Sequence, residues 1–175
     1  MSDVNFKEDL RNVKAFAFDV DGVFTNGKVY LFSKNEFVRA VNIKDGYAVQ
    51  YAIKKGFPIA IISGGNSEIV RERFKKLGVT DIYLNSTDKL DDLKDFYFKY
   101  DLEPDNILYM GDDIPDHEVM KVCGIATCPA DAAVEIKSIS TYISNFNGGE
   151  GCVRDVIEQV LRLKGDWMNE QASSW

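Results

Sequence analysis

The sequence predicts an α/β fold, a Rossmann-like parallel sheet with helices on both faces. Short apolar runs alternate with amphipathic helical patterns along most of the chain, as strand–helix–strand units require. The runs are continuously apolar rather than alternating, which suits strands covered on both faces. The residues best suited to chemistry, Asp19, Asp21, Ser63, Lys89 and Asp112, fall just past the ends of those runs. Open parallel sheets bind ligands at that edge.

The first strand is predicted over residues 15–20, where AFAFDV is interrupted only by Asp19. A second lies at 58–62 (PIAII), rich in β-branched residues. DIYL at 81–84 and NILYM at 106–110 follow, with weaker candidates at 124–127 and 141–143. Helices are predicted over 47–55, 67–77, 89–100, 115–122 and 153–163. Gly56, Gly78 and Gly124 stand at helix ends and are expected to be left-handed caps. One segment breaks the rhythm. Residues 28–31 and 37–41 flank Ser33-Lys34-Asn35-Glu36, which predicts a β-hairpin inserted after the first strand. Residues 165–175 (GDWMNEQASSW) are expected to form a loosely ordered tail. Without repeats or linkers, the 175 residues are expected to form one domain with its core over about 13–163.

Composition narrows the function. Hydrophobic residues make up 45% and charged residues 28%, which suits a packed core. A net charge of −7 argues against nucleic-acid binding through phosphate neutralisation, but not against a small anionic substrate met by a local cation. The three cysteines, Cys123, Cys128 and Cys152, show no paired CxxC spacing and are expected to be reduced. With neither a signal-like apolar start nor a membrane-length run, a cytoplasmic protein is expected.

Carboxylates gathered at one sheet edge repel one another, and a hard cation is the usual remedy. Oxygen donors favour Mg2+, which Asp19 and Asp112 could share with waters and a phosphate. Asp19 could also act as a nucleophile and Asp21 as a general acid and base. Ser63, Lys89 and loop amides could hold phosphoryl oxygens, aided by the helix that opens near residues 66–68. Each residue also has an ordinary reading. Asp21-Gly22 is a common turn pair, Asp113 and Asp116 could cap a helix, and Arg73 could pair with glutamates on its own helix.

DVDGVFTNG, the SGG that ends the second strand, Lys89 before a helix, and GDDIPD occur in the order typical of the haloacid dehalogenase superfamily of phosphohydrolases, which this chain resembles. NIKDGYAVQ, IISGG, DKL, GDDIPDHEVM and NGGEGCVRDVIE further resemble a small capless subfamily. That subfamily includes the 3-deoxy-D-manno-octulosonate 8-phosphate phosphatases and the related nonulosonate 9-phosphate phosphatases. The resemblance implies a Mg2+-dependent phosphomonoesterase with an aspartyl-phosphate intermediate, acting in lipopolysaccharide precursor synthesis. It also implies a homotetramer in which the hairpin assists assembly and a neighbouring subunit covers the site.

By position, the resemblance makes Asp19 nucleophile and metal ligand, and Asp21 acid/base with its carbonyl on the metal. Asp112 becomes the remaining metal ligand, with Asp113 and Asp116 orienting water and Lys89. Ser63, Gly64 and Lys89 would bind phosphate. Asn42, Lys44, Asp45 and Gly46 would form a substrate-contacting loop, and Arg73 would meet the sugar-acid carboxylate. Residues 148–151 (GGEG) would help close the site. Octulosonate phosphatases commonly carry arginines where this chain has Gly65 and Gln50. Nonulosonate 9-phosphate phosphatases tend to carry an acidic residue at the Gly65 position, which is also missing here. The alternatives are a nonulosonate 9-phosphate substrate, phosphoryl transfer to an acceptor other than water, or a non-catalytic oligomeric regulatory domain.

Overall fold

The computed structural model describes residues 6–31, 37–169 and 172–173. Six strands form one all-parallel sheet in the order β5-β4-β1-β6-β7-β8. They are β1 (Ala15–Phe18), β4 (Ile59–Ser63), β5 (Asp81–Leu84), β6 (Ile107–Met110), β7 (Ile125–Cys128) and β8 (Tyr142–Ile143). The remaining pair, β2 (Tyr30–Leu31) and β3 (Phe37–Val38), forms the expected antiparallel hairpin. Its turn at 33–36 lies outside the described residues. Among the described residues no second globular unit interrupts the order of strands and helices.

Strand geometry explains why the runs are wholly apolar. Successive side chains point to opposite faces, so a strand covered twice needs an apolar residue at every position. Phe16 and Phe18 of β1, with Ile59, Ile61, Leu108 and Met110, build the core on one face. There they meet α2 (Ile43–Lys54) and α7 (Cys152–Lys164) through residues such as Val49, Ala52, Val156 and Val160. Ala15, Ala17, Ala60, Ile62 and Tyr109 point the other way, toward α4 (Lys89–Lys99) and α5 (His117–Val122). Two shorter helices are α1 (Phe6–Asp9) and α6 (Val134–Ile139), and α3 (Glu68–Lys76) links β4 to β5.

Three differences from the sequence expectations have physical causes. First, α2 starts at Ile43 rather than residue 47, because the Asn42 side chain accepts the Lys44 N–H and caps the helix there. Second, Gly56 and Gly78 do adopt left-handed φ values of 86° and 91°, but Gly124 does not. Gly124 is small because the backbone of Asp105 passes it: an added Cβ would lie 2.2 Å from the Asp105 carbonyl oxygen. Third, residues 165–169 are not loose. Tyr51 OH donates to the Asp166 carbonyl at 3.0 Å, and the Trp167 ring stands edge-on to Tyr47 and Tyr51. The apolar face of α2 holds the start of the tail.

Gly124→Ala is expected to destabilise the protein by about 1–3 kcal/mol, the usual cost of forcing a methyl into packed backbone. Urea unfolding measures it, and a midpoint equal to that of the parent would contradict the close approach.

Candidate active site

The sheet order places β1 between β4 and β6, where the succession of strands reverses. Crevices form at such a reversal, beyond the C-terminal strand ends. Here a cleft of about 460 Å³ opens, lined by Asp19, Asp21, Ser63, Gly64 and Lys89 among others.

Each side chain reaches the cleft for a local reason. The Asp19 N–H continues the ladder to the Met110 carbonyl at 3.0 Å, and its Oδ1 then accepts the Val20 N–H at 2.7 Å. The chain turns at once, with the N–H groups of Val23, Phe24 and Thr25 all directed at the Val20 carbonyl. Buried Thr25 braces this turn by accepting the N–H groups of Gly22 and Gly27 at 3.2 Å each. Gly22 has φ 86°, and a Cβ there would lie 1.8 Å from Asp112 Oδ2. No residue with a side chain could occupy that position while Asp112 keeps its place. Ser63 is the last residue of β4, and its Oγ accepts the Gly65 N–H at 3.2 Å. Lys89 is the first residue of α4, which Asp88 caps by accepting the N–H groups of Leu90 and Asp91.

Lys89 is buried and bridges two acids. Its Nζ lies 3.0 Å from Asp19 Oδ2 and 2.7 Å from Asp116 Oδ1. Asp116 Oδ1 also accepts the Tyr109 hydroxyl at 2.8 Å, while Oδ2 accepts the Asp112 N–H at 3.2 Å. Both oxygens of Asp116 are thus committed to protein donors. Burial would lower the Lys89 pKa, but Asp19 and Asp116 outweigh it and raise the pKa above its ordinary value.

Carboxylate oxygens of Asp19, Asp112 and Asp116 lie within 4.8 Å of one another. Without a cation this cluster is electrostatically unfavourable. Burial, followed by repulsion from Asp116, raises the Asp19 carboxyl from 3.8 to about 8. Burial, Asp116 and Asp113 raise Asp112 to about 7. One ammonium against three carboxylates leaves two negative charges in excess, and an all-oxygen donor set suits a hard divalent cation. Each oxygen of Asp19 takes a single protein donor, the Val20 N–H or Lys89, and keeps a lone pair for a cation beside Asp112, whereas Asp116 takes three donors and positions Lys89.

Some expected site residues lie elsewhere. Asp45 is fully buried and accepts the Arg154 N–H at 2.8 Å, so it caps α7, whose own cap residue is Gly151. Gly46 is buried because the Arg73 guanidinium crosses it, 2.6 Å from where a Cβ would stand. Asp45 and Gly46 therefore pack helices and are enclosed by the protein itself. Lys44 and Arg73 line grooves other than the Asp19 cleft. Asp113 is exposed and accepts the Ile114 N–H, capping the short turn that carries Asp116 rather than contacting Lys89. Asn42 donates to the Gly149 carbonyl at 3.3 Å. The 148–151 loop packs on the turn after β1: Gly149 N–H reaches the Val23 carbonyl, and a Cβ on Gly148 would lie 1.9 Å from the Gly22 carbonyl oxygen.

The sequence reading missed three residues: Thr25, Tyr109 and Arg39. Arg39 donates to Asp21 Oδ1 at 2.6 Å and to Oδ2 at 3.1 Å. Thr25 carried a usable signal, a hydroxyl three residues past a turn glycine. Tyr109 stood out only as the one hydroxyl in an apolar strand.

A family described as haloacid dehalogenase-like hydrolase matches residues 74–157. The 3-deoxy-D-manno-octulosonate 8-phosphate phosphatase of Escherichia coli K12 is 33% identical over 154 residues, covering 88% of this chain and 82% of that protein. The chain belongs to the haloacid dehalogenase-like hydrolases. Within that family, the 3-deoxy-D-manno-octulosonate 8-phosphate phosphatase of Moraxella catarrhalis, solved with magnesium, phosphate and 3-deoxy-D-manno-octulosonate, superposes with a TM-score of 0.88 at 30% identity. The match covers 92% of each chain. The cobalt-bound Haemophilus influenzae phosphatase gives a TM-score of 0.88 at 26% identity over 94% of this chain and 98% of that one.

The raised pKa values set the sign of a pH effect. A carboxyl that holds its proton more tightly when folded destabilises the fold as pH rises past its unfolded value. Without divalent cations, stability is expected to fall between about pH 4 and pH 8 as Asp19 and Asp112 are forced to ionise. Added Mg2+ should restore it at pH 8, by about 2.7 kcal/mol at a hundred times its dissociation constant. Thermal melts with EDTA or Mg2+ measure both effects, and Asp112→Asn should remove most of the Mg2+ response.

Proposed function

We propose that the protein is a Mg2+-dependent phosphomonoesterase that hydrolyses 3-deoxy-D-manno-octulosonate 8-phosphate to the free sugar acid and phosphate. The observation that carries this reading is the Asp19 carboxylate. It emerges from β1 into a cleft whose other walls offer a hydroxyl, an ammonium and a second carboxyl. The fold and sequence likeness to octulosonate phosphatases support the choice of substrate. The same reading extends to a cytoplasmic homotetramer in which a neighbouring subunit covers the cleft.

Asp19 and Asp112, with the Asp21 carbonyl, would hold Mg2+, which when bound offsets negative charge on the phosphoryl oxygens. Lys89 Nζ, fixed by Asp116, and Ser63 Oγ bind and orient that group. An Asp19 carboxylate oxygen attacks phosphorus in line, forming an aspartyl-phosphate as the bond to the sugar oxygen breaks. Asp21 gives its proton to that oxygen. It then takes a proton from the water that attacks the aspartyl-phosphate, releasing phosphate and restoring Asp19. The two acids differ in setting: Asp19 is buried beside Lys89, and Asp21 is partly exposed at the cleft mouth.

Phosphate release from 3-deoxy-D-manno-octulosonate 8-phosphate is expected with Mg2+ and should stop with EDTA. Asp19→Asn should abolish the phosphoenzyme, and Asp21→Asn should lower kcat by about 10²–10⁴-fold. Specificity constants for the octulosonate and for a nonulosonate 9-phosphate decide the sugar. A higher value for the nonulosonate would overturn the substrate, and unchanged turnover by Asp19→Asn would overturn the mechanism.

A further inference from the structure

The proton-shuttling residue is held by a side chain from outside the strand ends. Arg39 stands between β3 and α2, and its Nε and Nη2 each donate to one oxygen of Asp21. This planar two-bond fork is a geometry that guanidinium offers and ammonium does not. The Arg39 side chain is 15% exposed and that of Asp21 39%, so the fork is largely enclosed while the carboxyl still faces the cleft.

An aspartate at a cleft mouth is otherwise free to turn about χ1 and, more broadly, χ2. A general acid works only within hydrogen-bond reach of the oxygen it protonates. The fork limits that freedom by holding the carboxyl in the guanidinium plane through one lone pair of each oxygen, so a proton is carried on a lone pair that faces away from Arg39. Arg39 also borders an apolar groove, which Val20, Phe37, Val38, Val70 and Phe74 line with it. Gly65 borders the pair: a Cβ there would stand in ordinary van der Waals contact, 3.6 Å from Asp21 Oδ2 and 3.7 Å from Arg39 Nη2.

We propose that Arg39 is a positioning residue for proton transfer: its fork aims the Asp21 carboxyl at the oxygen that leaves phosphorus. This rests on the reading of Asp21 as general acid and base, and it links the hairpin segment to the chemical step.

The leaving group provides the test. A sugar alkoxide needs a proton to depart, whereas p-nitrophenolate does not. The full-length protein with Mg2+ is assayed on 3-deoxy-D-manno-octulosonate 8-phosphate and on p-nitrophenyl phosphate, as parent, Arg39→Gln, Arg39→Lys and Asp21→Asn. Arg39→Gln is expected to lower kcat on the sugar phosphate by about 10–100-fold, part of what general acid catalysis supplies. The loss on the aryl phosphate should be at least tenfold smaller, with KM for both little changed. Arg39→Lys should recover part of the loss. It also serves as the test variant if Arg39→Gln does not melt cooperatively. Equal losses on both substrates, or a raised KM with unchanged kcat on the sugar phosphate alone, would overturn the proposal. If Asp21→Asn discriminates between the leaving groups and the Arg39 variants do not, the Arg39 role alone fails. If Asp21→Asn does not discriminate either, the acid/base reading fails with it.

Discussion

The constraint on which the site depends is the enclosure of three carboxylates, Asp19, Asp112 and Asp116, around one ammonium. Charge is costly to bury unless it is paired and hydrogen-bonded. Lys89 partly meets that requirement, and Asp116 completes it by spending both oxygens on Lys89, Tyr109 and the Asp112 N–H. What remains on Asp19 and Asp112 is negative charge that one ammonium, shared with Asp116, does not neutralise. That remainder suits a divalent cation and, beside it, a phosphate group. The electrostatic strain in the folded chain is therefore also its capacity to bind.

Such a cluster requires a rigid frame, which the central position of β1 supplies. The strand is bonded on both sides, to β4 and β6, and packed on both faces. Asp19 thus leaves the sheet from its best-restrained point. Two glycines then allow acids to approach closely. Gly22 admits Asp112, and Gly111 admits Asp116, whose Cβ would lie 2.4 Å from a Cβ at that position. These contacts are between side chain and backbone, so they fix carboxylates more tightly than side-chain packing alone.

The turn after β1 is secured from a distance. Residues 148–151, just ahead of α7, rest on it. Asn42 ties that loop to the start of α2, and Asp45 caps α7 from within α2. Residues that the family resemblance assigned to substrate contact thereby connect two helices to the turn after β1. Asp45 keeps one oxygen without a partner, and burial raises its carboxyl to about 6. The contact is thus somewhat costly to keep ionised.

Much of this was legible in the order of residues. Strand positions followed from apolar runs because burial on two faces leaves a local, periodic trace, and DIYL matched β5 at both ends. The family and the cleft were legible because the acids sit at strand ends, where position along the chain and position in the cleft coincide. The start of α2 was missed because a capping asparagine can shift a boundary by a turn. The capping of α7 by Asp45, the crossing of Gly46 by Arg73, and the fork of Arg39 on Asp21 were settled only by tertiary structure. Each joins residues far apart in the chain through a side-chain direction. Sequence patterns encode which face a residue occupies, but not which distant partner its polar atoms will find.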